Sequence, residues 1–244
     1  MYDLHYVRPG RFHVSMKQPG QNDVYTLHHG NLTAKVLADG AGNTRWGALG
    51  ARIAAEIAGG YLLHHFHRFY GRTDGDQIRW EVTARINQGL RNIAQDQEAD
   101  VMEFGATLMA LVVHRDGRYL LVHVGDGFCG AVDASGALRH LSGGPSSWRV
   151  TLTTAPGFRS ARVYRGQLPG AAFFLASDGC TELLWQDDVR FHPDQAPYLK
   201  RRDWAGLWAR ITASSPLDDH SLAVIDTCSQ GVEDAILDAA DREG

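Results

Sequence analysis

The 244-residue chain is poor in the features that would assign it to a special class at once. It has only three cysteines, Cys129, Cys180 and Cys228. Their odd number and lack of metal-type spacing argue against a disulfide framework or a cysteine-built zinc site. No apolar run approaches the ~18 residues needed to span a bilayer. The opening residues 1–8 lack the apolar segment of a signal peptide, so the cytoplasm is the expected compartment. A formal charge of -4 exerts no general pull on nucleic acid or anionic membrane, and neither is expected as a partner. Nothing resembles a linker. With 44% hydrophobic and 21% charged residues the composition is ordinarily globular, and one domain over residues 1–244 is expected, with a core that runs from about 12 to 226.

What is present is a recurring device, an apolar strand that ends in an acid beside glycine. The stretch Leu32–Ala38 runs into Asp39-Gly40-Ala41-Gly42. Phe173–Ala176 leads to Ser177-Asp178-Gly179, and Tyr119–Val124 to Gly125-Asp126-Gly127. Glycine lets backbone come close to an ion or a phosphate, so an acid placed there is poised for chemistry. Further acids sit at Asp23, in the polar turn Gly20-Gln21-Asn22-Asp23, and at Asp218-Asp219.

Between these points the patterns alternate in kind. Phe12–Met16 and Asp23–His28 read as short strands, with His29-Gly30-Asn31 turning into the strand that ends at Asp39. A first helix is expected from Asn43 or Thr44, with Trp46, Leu49, Ile53, Ile57 and Tyr61 as its apolar stripe. Gly59-Gly60 would weaken its last turns, and His64, His65 and His67 would lie near its end, where imidazolium suits the helix dipole better than a metal site. A second helix is expected from Asp76 to about Asp96 on Ile78, Val82, Ile86, Leu90 and Ile93. Strands follow at Thr107–His114, Tyr119–Val124, Phe128–Val132, Ala137–Leu141, Ala161–Tyr164 and Ala171–Ala176, with a loop at Gly143–Ser147. Tyr198–Thr212 reads as one helix, Ser221–Asp226 as the last strand and Val232–Ala240 as a closing helix. Strand meanders followed by helix pairs give an α+β class of layered antiparallel sheets rather than βαβ units.

If the fold gathers the strand ends, several carboxylates share one space. Two unit charges 4 Å apart repel by about 4 kcal/mol at an effective dielectric near 20, so such carboxylates need protons or cations. An all-oxygen site selects a hard ion such as Mg²⁺ or Mn²⁺ over zinc. Asp-Gly is also the commonest of turns, and spacing alone leaves a set of unrelated turns equally open.

The order of the motifs carries more. Residues 20–23, Ala-Asp-Gly-Ala-Gly (38–42), Gly-Ala-Thr (105–107), Val-Gly-Asp-Gly (124–127), Ala-Ser-Asp-Gly (176–179) and Asp-Asp-His-Ser-Leu (218–222) together resemble the type 2C metal-dependent protein phosphatases, most nearly the compact bacterial members. The resemblance implies two packed antiparallel sheets flanked by helices, an α-β-β-α sandwich with Mn²⁺ or Mg²⁺ at one end. It implies that Asp39 bridges two ions, that the Gly40 carbonyl joins it, and that Asp178 and Asp218 complete one ion. Asp23 would hold ion-bound water, Asp126 would serve a third, weaker ion, and Asp219 would have a supporting role. The implied reaction is hydrolysis of phosphoserine and phosphothreonine in protein substrates of a cognate Ser/Thr kinase, by a bridging hydroxide attacking phosphorus in line. Asp39, Asp178 and Asp218 are then the catalytic set.

Three positions depart from the family pattern. Asn22 stands where many members have a Glu ligand, and Ala41 where some have a His proposed as general acid. The phosphate-gripping Arg is missing; the nearest cations are Arg11 and Lys17, of which Lys17 is the candidate for phosphate, without a guanidinium fork. A phosphoprotein-binding domain without turnover and a phosphohydrolase of small metabolites are the rival readings. A dinucleotide site at Gly40-Ala41-Gly42 fails on glycine spacing.

Overall fold

Ten strands among the described residues pair antiparallel into two five-stranded sheets. The structure is a computed structural model and describes residues 1–42, 44–143, 153–154, 161–186 and 190–228. In chain order the strands are β1 (Tyr2–Arg8), β2 (Asn22–His29), β3 (Leu32–Gly40), β4 (Ala106–His114), β5 (Arg118–Val124), β6 (Phe128–Val132), β7 (Leu138–Gly143), β8 (Arg162–Gln167), β9 (Ala172–Ala176) and β10 (His220–Asp226). The helices are α1 (Arg11–Met16), α2 (Gly47–Gly71), α3 (Gly75–Asp96), α4 (Asp178–Leu184), α5 (Ala196–Arg201) and α6 (Trp204–Ala213). One sheet runs β1-β10-β9-β6-β7 and the other β2-β3-β4-β5-β8.

Strand periodicity of two explains the layers. Leu37, Met109 and Leu121 point between the sheets and meet Phe173, Leu175 and Ile225. Their neighbours Val36, Ala38 and Ala110 point the other way, onto α2 and α3. Phe174 and Val224 pack outward against Leu207 and Ile211 of α6. The central strands are covered on both faces, which is why they read as continuous apolar runs. The result is the expected α-β-β-α sandwich.

Helix α2 departs from expectation. It starts at Gly47, because the Thr44 hydroxyl is spent on the Ala41 carbonyl, at 2.8 Å, and does not cap the helix. Gly59-Gly60 and the three histidines lie in its interior, since it runs on to Gly71. The buried face of its first half is made of small residues, Ala51, Ala54, Ala55 and Ala58, before Leu62, Phe66 and Phe69 take over toward its end. The large stripe Leu49, Ile53, Ile57 and Tyr61 is only partly buried. Close helix-to-sheet contact selects Ala and Gly there, a signal that apolar periodicity understates. Helix α3 buries Ile78, Val82, Ile86 and Leu90 as expected, and Asp74 caps it by accepting from the Gln77 amide at 2.7 Å.

Other corrections are local. Phe12–Met16 is helical: Arg11 and Phe12 donate their amides to the carbonyls of Pro216 and Leu217, and only His13 turns inward. Strand β1 was not expected; it pairs with β10 along Tyr2–Arg8. There Asp3 forms an ion pair with the fully buried Lys35 of β3 in the other sheet. The helix expected over Tyr198–Thr212 breaks at Arg202, which takes a left-handed conformation (φ 57°) and sends its guanidinium to Asp226 at 2.8 Å. Of the loop expected at Gly143–Ser147 only Gly143 is described, as the end of β7. The rest of it, like the closing helix Val232–Ala240, lies outside the described residues. Among the described residues no helix is long and apolar enough to cross a membrane.

Candidate metal centre

The strand ends that carry acids meet at one end of the sandwich. Strand β3 continues through Asp39 to Gly40, whose amide donates to the Gln21 carbonyl at 3.1 Å. Gly40 is pressed on the start of α2, and a Cβ there would lie 2.5 Å from the Gly47 carbonyl carbon. The antiparallel register puts Asp39 opposite Thr107, one position from the pair Leu108 and Val124, after which the chain turns through Gly125-Asp126-Gly127. In the facing sheet Ala176 pairs with both Phe128 and Leu222, so Asp178 emerges next to the Asp126 turn and the start of β10.

Serine hydroxyls lock that second half. Ser177 Oγ accepts from the Ser221 amide at 3.0 Å and donates to the Asp219 carbonyl at 3.2 Å. The Gly179 amide donates to the Asp178 carboxylate at 2.7 Å. Gly179 admits the 218–219 backbone so closely that a Cβ would sit 2.3 Å from the Asp219 carbonyl oxygen. These contacts hold Asp178 against Asp39, with Asp218 close enough to act on Asp178.

Burial and mutual charge perturb the acids. Asp39 is pushed well above the ordinary carboxylate range, first by burial and then by Asp178, which shares a side-chain hydrogen bond with it, with Asp219 and Asp126 adding repulsion. Asp178 is pushed up to about 6 by burial and then by Asp126 and Asp218. Asp126 is raised by burial and by Asp218. Asp218 is exposed at the mouth. This is what buried carboxylates do when they hold a proton in place of a cation.

Among the described residues no three acid, imidazole or thiol groups are drawn together tightly enough to form a ready cage. Carboxylate oxygens are the donors that hard, water-rich ions such as Mg²⁺ or Mn²⁺ take, whereas zinc prefers thiolate and imidazole. Asp39 and Asp178, which share a hydrogen bond, supply donors of that kind, and Asp218 acts on Asp178 from the mouth.

Asp23 is not brought into this group. Its register partner is Ala38, on the face that carries α2, and the charges acting on it are Glu56, Arg52 and His5. Asn22, the register partner of Asp39, takes that place. Lys17 is exposed at the C-terminal cap of α1. Asp219 is 4% exposed and fully engaged. Its Oδ1 lies 2.8 Å from both the Gly10 amide and His13 Nδ1, and its Oδ2 is 2.6 Å from the Gln21 amide. His13 was missed because a strand reading hid its inward turn. Arg162, also missed, starts β8 and donates to the Gly125 carbonyl at 3.1 Å, which sets a cation beside the Asp126 turn; no motif marks it.

Comparison with known proteins now gives the class. The model of the family "Protein phosphatase 2C" matches residues 9–215, and the chain belongs to that family, a class of protein serine/threonine phosphatases. Asp218 lies just beyond the matched span. Solved structures share the fold. A bacterial serine phosphatase aligns with TM-score 0.69 and 14% identity, over 95% of this chain and 100% of that one. The catalytic domain of the serine threonine protein phosphatase PstP, in complex with two manganese ions, gives 0.62 and 17%, over 92% and 97%. RsbX in complex with magnesium gives 0.59 and 15%, over 91% and 92%. No curated protein sequence matches the chain.

Proposed function

We propose that this protein removes phosphate from phosphoserine and phosphothreonine in proteins, with two Mn²⁺ or Mg²⁺ ions held by Asp39, Asp178, Asp218 and the Gly40 carbonyl, and a weaker one by Asp126. The observation that carries the reading is the convergence of Asp39, Asp178 and Asp126 at one end of the sandwich, each carboxyl raised by burial and by its neighbours. When bound, such ions acidify water near neutral pH and neutralise charge on phosphoryl oxygens.

The chain's own groups do the rest. Asp39 and Asp178, which share a side-chain hydrogen bond, would both be ionised to hold a cation, since an ionised carboxylate next to another needs a counter-charge. Arg162, anchored on the Gly125 carbonyl beside the Asp126 turn, is the cation that would offset charge on a phosphoryl group, with Lys17 at the end of α1 as a second candidate. Cys129 and Cys180 do not serve as thiol nucleophiles: both are fully buried, and burial pushes the Cys180 thiol up to about 12. The substrates are the phosphoproteins of a cognate Ser/Thr kinase.

The test is phosphate release from a phosphothreonine peptide and its phosphotyrosine counterpart, with Mn²⁺ and with chelator. Turnover that needs the ion and favours phosphothreonine is expected. Full activity in chelator, or a clear preference for phosphotyrosine, would refute the reading. Stoichiometric peptide binding without turnover would favour a phosphoprotein-binding role instead.

A further inference from the structure

The start of β2 joins the two halves of the acid site through side chains. Asn22 lies directly opposite Asp39 in the β2–β3 register, on the face between the sheets. With its amide nitrogen toward Asp39, the carboxamide donates to both carboxylate oxygens, at 2.7 and 2.9 Å, and its oxygen accepts from Ser221 Oγ at 2.9 Å. In the opposite orientation the amide oxygen would face the two carboxylate oxygens, acceptor against acceptor, so the nitrogen faces Asp39. Ser221 belongs to the opposite sheet, and its amide and carbonyl bond Ser177, the residue before Asp178, at 3.0 and 3.1 Å. One polar chain therefore runs from Asp39 through Asn22, Ser221 and Ser177 to Asp178. Backbone bonds of Gln21 brace the same step, to Asp219 on one side and Gly40 on the other.

We propose that Asn22 is a positioning residue, which holds the Asp39 carboxylate and ties it to Ser221 across the sheets, and not an ion ligand. Its one acceptor atom faces Ser221 and its donors face Asp39, so neither end is presented to an ion. A carboxylate at this position would place a further negative charge against Asp39 and lose the donor that orients it. The inference rests on the metal-dependent reading of the Asp39 site.

The experiment compares Asn22→Ala, Asn22→Asp, Ser221→Ala and the Asn22→Ala/Ser221→Ala double variant of the full chain. Mn²⁺ affinity is measured by calorimetry, and kcat and KM on a phosphothreonine peptide. A group that orients a ligand changes metal affinity or activity by roughly 10–100-fold. Asn22→Ala is expected to weaken Mn²⁺ binding and lower kcat in that range, with KM little changed. Asn22→Asp should be no better than Asn22→Ala. Ser221→Ala should act in the same direction but less, and the double variant should be no worse than Asn22→Ala alone, because Ser221 acts through Asn22. Tighter Mn²⁺ binding by Asn22→Asp than by wild type would overturn the proposal and make Asn22 a ligand position. So would strictly additive losses in the double variant, or an unchanged Mn²⁺ affinity in Ser221→Ala, which keeps the test decisive should Asn22→Ala fail to fold. Wild type that binds Mn²⁺ but releases no phosphate would count against the phosphatase reading instead, and the calorimetric comparison would still stand.

Discussion

Two neighbouring acids on the β2–β3 hairpin meet opposite fates. Asp39 and the residue facing it, Asn22, lie between the sheets, where Asp178 and Asp126 crowd the same space. Asp23, one residue on, lies on the other face with Arg52 and Glu56 from α2. Side chains alternate across a strand, so a one-residue step moves a carboxylate from a shared, ion-demanding cleft to an ordinary helix–sheet junction. Burial raises both acids. Asp39 has three carboxylates, Asp178, Asp219 and Asp126, as its charged neighbours, whereas beside Asp23 the one carboxylate, Glu56, is partly offset by Arg52 and His5. Proximity in sequence to a motif is thus no measure of membership in a site.

The largest effects should come from breaking the inter-sheet side. Asp39→Asn removes the charge at the centre of the cluster and should abolish phosphopeptide turnover and the strongest Mn²⁺ binding. Asp178→Asn and Asp218→Asn each weaken one contribution, lowering turnover strongly while some ion binding survives. Asp126→Asn should cost roughly 10–100-fold at low Mn²⁺, with partial recovery at high Mn²⁺, as expected of an outer contribution. Calorimetric titration and turnover of each variant check the order. Near wild-type turnover in Asp39→Asn would break the whole assignment.

A smaller effect concerns pH in the metal-free protein. Asp178 has a folded pKa of about 6 against an ordinary 3.8, so the folded state binds its proton more tightly than the unfolded chain does. The stability this contributes is present below about pH 4 and is lost as pH rises through about 6. In chelator, the melting temperature of wild type should therefore fall more steeply over that window than that of Asp178→Asn. Mn²⁺ should remove the difference for wild type, since a cation stabilises the ionised pair. Equal slopes for the two proteins in scanning calorimetry would show that Asp178 is not perturbed.

Much of this was legible in the chain because it is written in local chemistry. Strands β4, β5 and β9 are largely apolar runs and β3 is apolar toward its end, each with glycine or acid at or beside its ends, and their register then brings the acids together. The α2 face was not legible: Ala51, Ala54, Ala55 and Ala58 give little apolar signal, although close packing needs their smallness. The α1 segment alternates Phe12, Val14 and Met16 as a strand would, yet the carbonyls of Pro216 and Leu217, some 200 residues away, start a helix there. The roles of Asn22, His13 and Arg162 depend on partners distant in sequence, Ser221, Asp219 and Gly125. No local pattern announces such pairs.

The smallest expected effect sharpens the comparison from its other side. If Asp23 belonged to the ion site, Asp23→Asn would remove charge that helps hold ion-bound water, and turnover would fall with the loss of Mn²⁺ affinity. The structure gives Asp23 different company. Burial raises its pKa first, the charge of Glu56 raises it further, and Arg52 and His5 only partly offset them. A neutral amide removes that repulsion along with a half-exposed attraction to Arg52, and such partly solvated pairs are worth only about 0.2–1 kcal/mol. Asp23→Asn should therefore keep turnover within about fivefold of wild type, the factor that 1 kcal/mol represents. Its melting temperature should be unchanged or slightly higher at neutral pH, where the carboxylate is most strained by its surroundings. Glu56→Gln should raise the melting temperature in the same direction, and the two changes together should add less than the sum of each alone, because they relieve the same repulsion. A loss of turnover in Asp23→Asn as deep as that of Asp178→Asn would move Asp23 into the ion site and erase the distinction between the two faces of β2.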